Sequence, residues 1–249
     1  MSDNESDSEV EPIEEEERAK PRKSKHDRQR LPQKIIPIHC ADKKNHEKWH
    51  KGRDLMDIPA PARICCLAPP NSGKTCFIKN MIIRSKPMFE EIYIVHYDSD
   101  GTNEYFDVDG IMLSELPDPK SFDPDKKKLL ILEDLEYSQM DKESKRRLDR
   151  LFGYTSTHKF MTVILTAQDS FRVPAICRRC STVFVLWKNP DSDSMAQVAR
   201  KTGLRGKDLI EIFNKFMPNR YDSLMIDLSH PDPTYRLRKN GYQIIKRKE

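Results

Sequence analysis

Ala68-Pro69-Pro70-Asn71-Ser72-Gly73-Lys74-Thr75 is the stretch from which the rest of the chain can be read. It has the form [Gly/Ala]-x-x-x-x-Gly-Lys-[Ser/Thr], a phosphate-binding loop. Before it stands the apolar run Ile64-Cys65-Cys66-Leu67, suited to a buried strand. After it, Cys76-Phe77-Ile78-Lys79-Asn80-Met81-Ile82-Ile83-Arg84 spaces its apolar residues for one helical face. The chemistry needs this context, because backbone N–H groups and the positive end of the helix dipole then converge on an anion. Pro69 and Pro70 carry no N–H and stiffen the loop. The donors must therefore come from Asn71 through Cys76. Gly73 lets the backbone approach a phosphate closely. Lys74 is expected to reach the β- and γ-phosphates, and the Thr75 hydroxyl to bind Mg²⁺. Ala68 stands where the strict pattern has Gly, which is tolerated if the loop opens without a positive φ.

The chain has 249 residues, enough for one large or two small domains. It is 37% hydrophobic and 34% charged, with a formal net charge of +4 that is unevenly placed. No apolar run approaches the ~18 residues of a membrane span. The acidic, polar N-terminus does not read as a signal peptide, so an intracellular protein is expected. Cys65, Cys66 and Cys76 lie around the loop in apolar company and read as small hydrophobes rather than disulfide partners.

Residues 1–17 are almost wholly acidic and polar, and from Arg18 to Arg30 the sign reverses. Neither block can bury a core, so residues 1–30 are expected to be a disordered tail. The basic block reads either as a nuclear-localisation signal or nucleic-acid tether, or as a solvated half that neutralises the other. Residues 31–59 form a lead-in, and 60–249 the phosphate-binding domain. The lead-in holds His46-Glu47-Lys48-Trp49-His50, which matches the zinc-protease pattern His-Glu-x-x-His. Lys43, Lys44, Lys48 and Lys51 crowd it and oppose a Zn²⁺, so an exposed helix or loop with Trp49 docked is the expected reading.

From Arg63 onward strands and helices alternate. Strands are expected at 63–67, 91–97, 128–132, 161–166 and 182–187. Helices are expected near 74–85, 141–152, 174–179, 192–202 and 206–216. Last come strands at 223–228 and 234–245. Residues 98–127, rich in Asp, Pro and Gly, read as a long loop with one edge element. Alternating βα units imply a largely parallel sheet with helices on both faces, an α/β class.

Leu129-Leu130-Ile131-Leu132-Glu133-Asp134 delivers two acids to the end of a buried strand, the Walker B form. One acid holds Mg²⁺ through water and the other polarises the attacking water. By position Glu133 is the metal acid and Asp134 the base, but their side-chain lengths are swapped from the usual order, so the two roles stay open. A later strand, Val163-Ile164-Leu165-Thr166-Ala167-Gln168, ends in an amide. Gln168 is expected to sense the γ-phosphate or its water; a solvated strand end is the plain alternative.

In this order stand the loop, the two acids, Leu151-Phe152-Gly153-Tyr154-Thr155-Ser156-Thr157-His158, Ile164-Leu165-Thr166-Ala167-Gln168 and Val183-Phe184-Val185-Leu186-Trp187-Lys188-Asn189-Pro190. Together they resemble the poxvirus-type genome-packaging ATPases of the FtsK–HerA superfamily, found in large DNA viruses, virophages and Polinton-like elements. The likeness runs over roughly residues 60 to 200, and the strand into Lys188-Asn189-Pro190 is its most specific part. This sequence departs at Ala68, at the Glu133-Asp134 order and at Ala167. The resemblance implies a RecA-like P-loop NTPase fold, ATP and Mg²⁺ as cofactors, and a homo-oligomeric ring. It implies translocation of double-stranded DNA into a preformed capsid, with a capsid or portal-like vertex protein as partner. An infected host cell, nucleus or cytoplasmic factory, and the virion would be its places of work. Such rings supply an arginine in trans; Arg147, Arg150, Arg178 and Arg179 are the candidates. Cys177 and Cys180 form a Cys-x-x-Cys without a second pair, which does not make a zinc site. A nucleotide kinase or a helicase-like DNA motor is the enzymatic alternative. The zinc protease and a non-hydrolysing DNA-binding adaptor belong to other classes.

Overall fold

In a computed structural model of the chain, residues 53–97 and 104–246 are described. All lie within one unit, Asp42–Glu249. The charged tail and the His46–His50 motif lie outside the described residues.

The five-residue runs of the sequence become strands because they can be buried on both sides. β1 is Arg63–Leu67, β2 Glu91–Val95, β3 Ile111–Leu113, β4 Lys128–Leu132, β5 Met161–Ala167 and β6 Val183–Trp187. β7 (Ser223–Asp227), β8 (Leu237–Lys239) and β9 (Gln243–Ile244) complete a nine-stranded sheet in the order β3-β2-β4-β5-β1-β6-β7-β8-β9. β3 through β6 in that order pair in parallel, and β6 to β9 antiparallel. Every residue of β4, β5, β6 and β7 is buried, as expected of strands covered on both faces.

The period of two sorts the side chains into two cores. On one face Cys65, Leu67, Leu130, Leu132, Val163, Leu165, Phe184 and Leu186 meet the later helices. These are α2 (Lys142–Arg150), α4 (Ala175–Cys180), α5 (Ser192–Thr202) and α6 (Gly206–Phe216), while the short α3 (Ser156–His158) contributes no apolar side chain to this core. On the other face Ile64, Cys66, Leu129, Ile131, Ile164, Val183 and Val185 meet α1 (Lys74–Arg84) through Phe77, Ile78 and Met81. Met56 and Ile58, just ahead of β1, join this second core.

Three elements differ from the sequence reading. The helix expected near 141–152 runs on through a π-helical turn, Leu151–Thr155, into α3. The wider turn lets Leu151, Phe152, Thr155 and Ser156 all point inward. β2 stops at Val95, and Tyr97 is fully exposed. The single strand expected at 234–245 is broken by Asn240 and Gly241, with φ of 52° and 79°, into the β8–β9 hairpin. Asn-Gly is a turn signal of that kind. The loop expected at 98–127 contributes β3 as its edge element, over the part that is described.

Candidate active site

The strand order brings three tips together. β5 lies between β4 and β1, so Glu133 and Asp134, Gln168 and the phosphate-binding loop all leave the same edge of the sheet. This is the carboxyl edge where open α/β sheets take ligands. The loop is fastened to that edge by the Ala68 N–H, which donates to the Ala167 carbonyl at 3.0 Å. Asn71 and Gly73, with φ of 56° and 96°, fold the chain back on itself. Ala68 needs no positive φ, as expected. The Ser72 hydroxyl donates to the Pro69 carbonyl at 2.6 Å and holds the loop closed.

α1 begins at Lys74 with Gly73 as its cap residue, and among the described residues no side chain caps its first N–H groups. A helix start left in this state offers its donors and its dipole to an anion. Thr75 and Cys76 follow in the same first turn.

Lys74 is buried, and its Nζ donates to both carboxylate oxygens of Asp134, at 3.0 and 2.8 Å. The charge that the sequence assigned to phosphates thus has an internal counter-ion. Asp134 has φ 38°, and its N–H donates to the Thr166 hydroxyl at 2.9 Å, which fixes it beside β5. Glu133 turns the other way. Its N–H donates to the Val95 carbonyl at 3.0 Å, and its Oε2 accepts from the Tyr105 hydroxyl at 2.8 Å. Burial pushes the Glu133 carboxyl above its ordinary value; the Tyr105 bond and the Lys74 charge work against that rise. The adjacent acids therefore sit in unlike surroundings, Glu133 desolvated and Asp134 exposed and ion-paired.

Gln168 follows β5 half-buried, and its carbonyl accepts from the Asn189 amide at 3.3 Å. The four arginines expected to act in trans are not alike. Arg178 donates to the carbonyls of Ser170, at 2.8 Å, and of Val173 in its own chain. Arg147 donates to the Leu116 carbonyl at 2.9 Å and to Glu143 at 3.0 Å. Arg150 and Arg179 are exposed. Cys177 and Cys180 are free thiols, and burial raises Cys177 beyond the usual thiol range. Among the described residues no three His, Cys, Asp or Glu side chains cluster as a metal site. Thr75, Glu133 and Asp134 offer oxygen donors only, the set that suits a hard cation such as Mg²⁺.

Tyr105 had no role in the sequence reading. It lies in the stretch read as loop, 28 residues before the acid it bonds, and no local pattern announces it.

No family model matches the chain, and no curated protein does. Solved structures do. The genome-packaging NTPase B204 of Sulfolobus turreted icosahedral virus 2, in complex with sulfate, has TM-score 0.54 at 12% identity; the match covers 76% of this chain and 99% of that one. The same protein with ATP-gammaS gives TM-score 0.53 at 12% identity, over 72% and 96%. The DNA-packaging ATPase B204 of Sulfolobus turreted icosahedral virus also gives 0.53 at 12% identity, over 68% and 93%. At such identity the likeness shows the fold: the chain is a mostly parallel α/β sheet of the kind used by P-loop ATPases.

Proposed function

We propose that this chain is an ATP-hydrolysing motor that moves double-stranded DNA into a preformed viral capsid, working as a homo-oligomeric ring. One observation carries the reading: Lys74, Asp134 and Glu133 converge at one edge of the sheet, with β5 and Gln168 between their strands. The B204 packaging ATPases, which share this fold, support the finer part of it.

The residues divide the work as follows. The N–H groups at the start of α1 and the Lys74 ammonium bind the triphosphate. Lys74 must leave Asp134 to do so, which frees that carboxylate as the nucleotide arrives. Asp134, exposed at the strand tip, then takes the proton of the attacking water. Glu133 has Oε2 engaged by Tyr105 and keeps Oε1 for the metal side, with Thr75 as the hydroxyl ligand. These oxygen donors would hold Mg²⁺, which would supply positive charge to offset that of the phosphates. Gln168 orients the water or reads the γ-phosphate. Arg150 and Arg179, exposed in this chain, are the better placed of the four arginines to reach a neighbouring subunit. A capsid or portal-like vertex protein is the expected docking partner, and an infected cell the setting.

The test is ATP turnover by the full chain with and without double-stranded DNA, together with its mass in solution. Stimulation by DNA in an oligomer is the expected outcome. A monomer that phosphorylates a nucleoside or nucleotide acceptor, with no response to DNA, would put the chain among the kinases instead.

A further inference from the structure

Beside the phosphate-binding loop, on the α1 face of the sheet, lies a cavity of about 920 Å³. That is at the upper end of the roughly 300–1,000 Å³ of small-molecule sites. Gly73, Cys76, Phe77 and Asn80 form one wall, so the cavity opens directly from the loop and the first turns of α1. The opposite lining comes from parts of the chain that no phosphate-binding motif includes. Leu55 and Met56 come from the segment before β1, Tyr221 and Ser223 from the approach to β7, and Asn240 and Tyr242 from the β8–β9 turn.

The chemistry of these walls is specific. Tyr221 packs its ring against the loop: a Cβ built on Gly73 would lie 3.7 Å from the Tyr221 Cδ1. Tyr221 and Tyr242 are 68% and 69% exposed, though both line a concave surface. Trp187 stands edge-on to Phe77, 5.9 Å between ring centres at 88°, and its buried Nε1 meets no acceptor among the described residues. The polar groups are largely committed elsewhere. The Asn240 Oδ1 accepts from the Ser223 N–H at 2.8 Å, and its Nδ2 donates to Asp222 at 3.3 Å. The Asn80 Nδ2 donates to the Cys76 carbonyl at 2.9 Å. Aromatic faces are thus plentiful; besides the buried Trp187 Nε1 and the exposed guanidinium of Arg84 at the far end of α1, few hydrogen-bonding groups on the walls are uncommitted.

We propose that this cavity takes the base and ribose of the nucleotide whose phosphates lie at the loop, and that it holds the base by stacking on Tyr221 and Tyr242. This rests on the nucleotide-binding reading above and adds a selectivity to it. Stacking uses the face of the base, which every base has, and grows with ring area. A site that stacks and hardly reads edges prefers purines to pyrimidines and barely tells adenine from guanine. Discrimination of ~10⁴-fold or more requires buried polar groups that the wrong ligand leaves unpaired.

Calorimetric titration of the full chain with ADP, GDP, CDP and pyrophosphate, each with Mg²⁺, tests this without relying on turnover. ADP and GDP should bind within about threefold of each other, and CDP more weakly. Tyr221→Ala and Tyr242→Ala should each weaken ADP and GDP roughly tenfold and leave pyrophosphate unchanged. Tyr221→Phe and Tyr242→Phe, which keep the rings, should bind as the parent does. Unchanged purine affinity in both alanine variants overturns the proposal, as does a preference for ADP over GDP of about a hundredfold or more. An equal loss for pyrophosphate also overturns it, since the tyrosines would then be supporting the loop rather than the base. If pyrophosphate does not bind the parent chain at all, the phosphate-site reading fails first, and the two failures are told apart.

Discussion

At the scale of single residues, the contact between Lys74 and Asp134 decides most. Lys74→Ala removes the cation from the phosphate site, and turnover should fall by on the order of 10²–10³-fold, as for loss of one preorganised electrostatic group. Asp134 is exposed enough to be solvated without its partner, so the melting temperature should move little. A rate near that of the parent would remove Lys74 from the mechanism. Glu133 gives a pH signature. Its folded-state pKa is raised by burial, so the charged form is the strained one, and stability tied to its proton is lost as pH rises through that value. Glu133→Gln copies the neutral form. It should melt higher than the parent near pH 8, the gap closing as the solution is acidified, while its Mg²⁺-dependent turnover is lost. Tyr105→Phe removes the hydroxyl that bonds the Glu133 carboxylate and so raises that pKa further. The acid limb of the pH–rate profile should move up by up to about one unit. A Tyr105 that only fills space would leave the limb where it is.

At the scale of elements, the antiparallel extension β7–β9 is held to the segment before β1 by charge. Asp227 is fully buried and accepts from Arg53 and, at 3.2 Å, from Arg238. Arg238 also donates to Asp57 at 3.0 Å, and the His230 ring stands 3.1 Å from the same carboxylate. Burial lowers the Arg238 pKa, with Asp57 opposing. Removing one member leaves buried charge without its partner. Asp227→Ala should therefore cost about 3–5 kcal/mol in urea unfolding. The tyrosines of the base cavity hang on the same elements, so ADP affinity in that variant should fall with the fraction unfolded. A loss below about 1 kcal/mol would mean the cluster is hydrated in solution.

At the scale of the whole molecule, the acidic and basic blocks of residues 1–30 hold too few apolar side chains, Val10 and Ile13 chief among them, to build a packed face. A chain without them should hydrolyse ATP at the parent's rate while binding double-stranded DNA with a shallower dependence on salt, because cationic contacts to phosphates are lost. A truncated protein that is folded by circular dichroism but inactive would place the tail in the active site. Legible in the sequence were the pattern of a phosphate-binding loop, the two-acid strand tip, the buried strands β1, β4, β5 and β6, and the α/β class. These depend on local patterns: a glycine where the backbone must turn, apolar runs long enough for a strand, a helix face of period 3.6. That Asp134, 60 residues along the chain, faces Lys74 while its neighbour Glu133 turns to Tyr105 is visible in the folded chain and not before. The fold alone joined residues near Leu55, Tyr221 and Tyr242 to α1 around one cavity. A period of two assigns a side chain to a face of the sheet, but not the strand it lies beside. The order β4-β5-β1 is fixed by which crossovers can bury both faces at once, a property of all the strands and helices together.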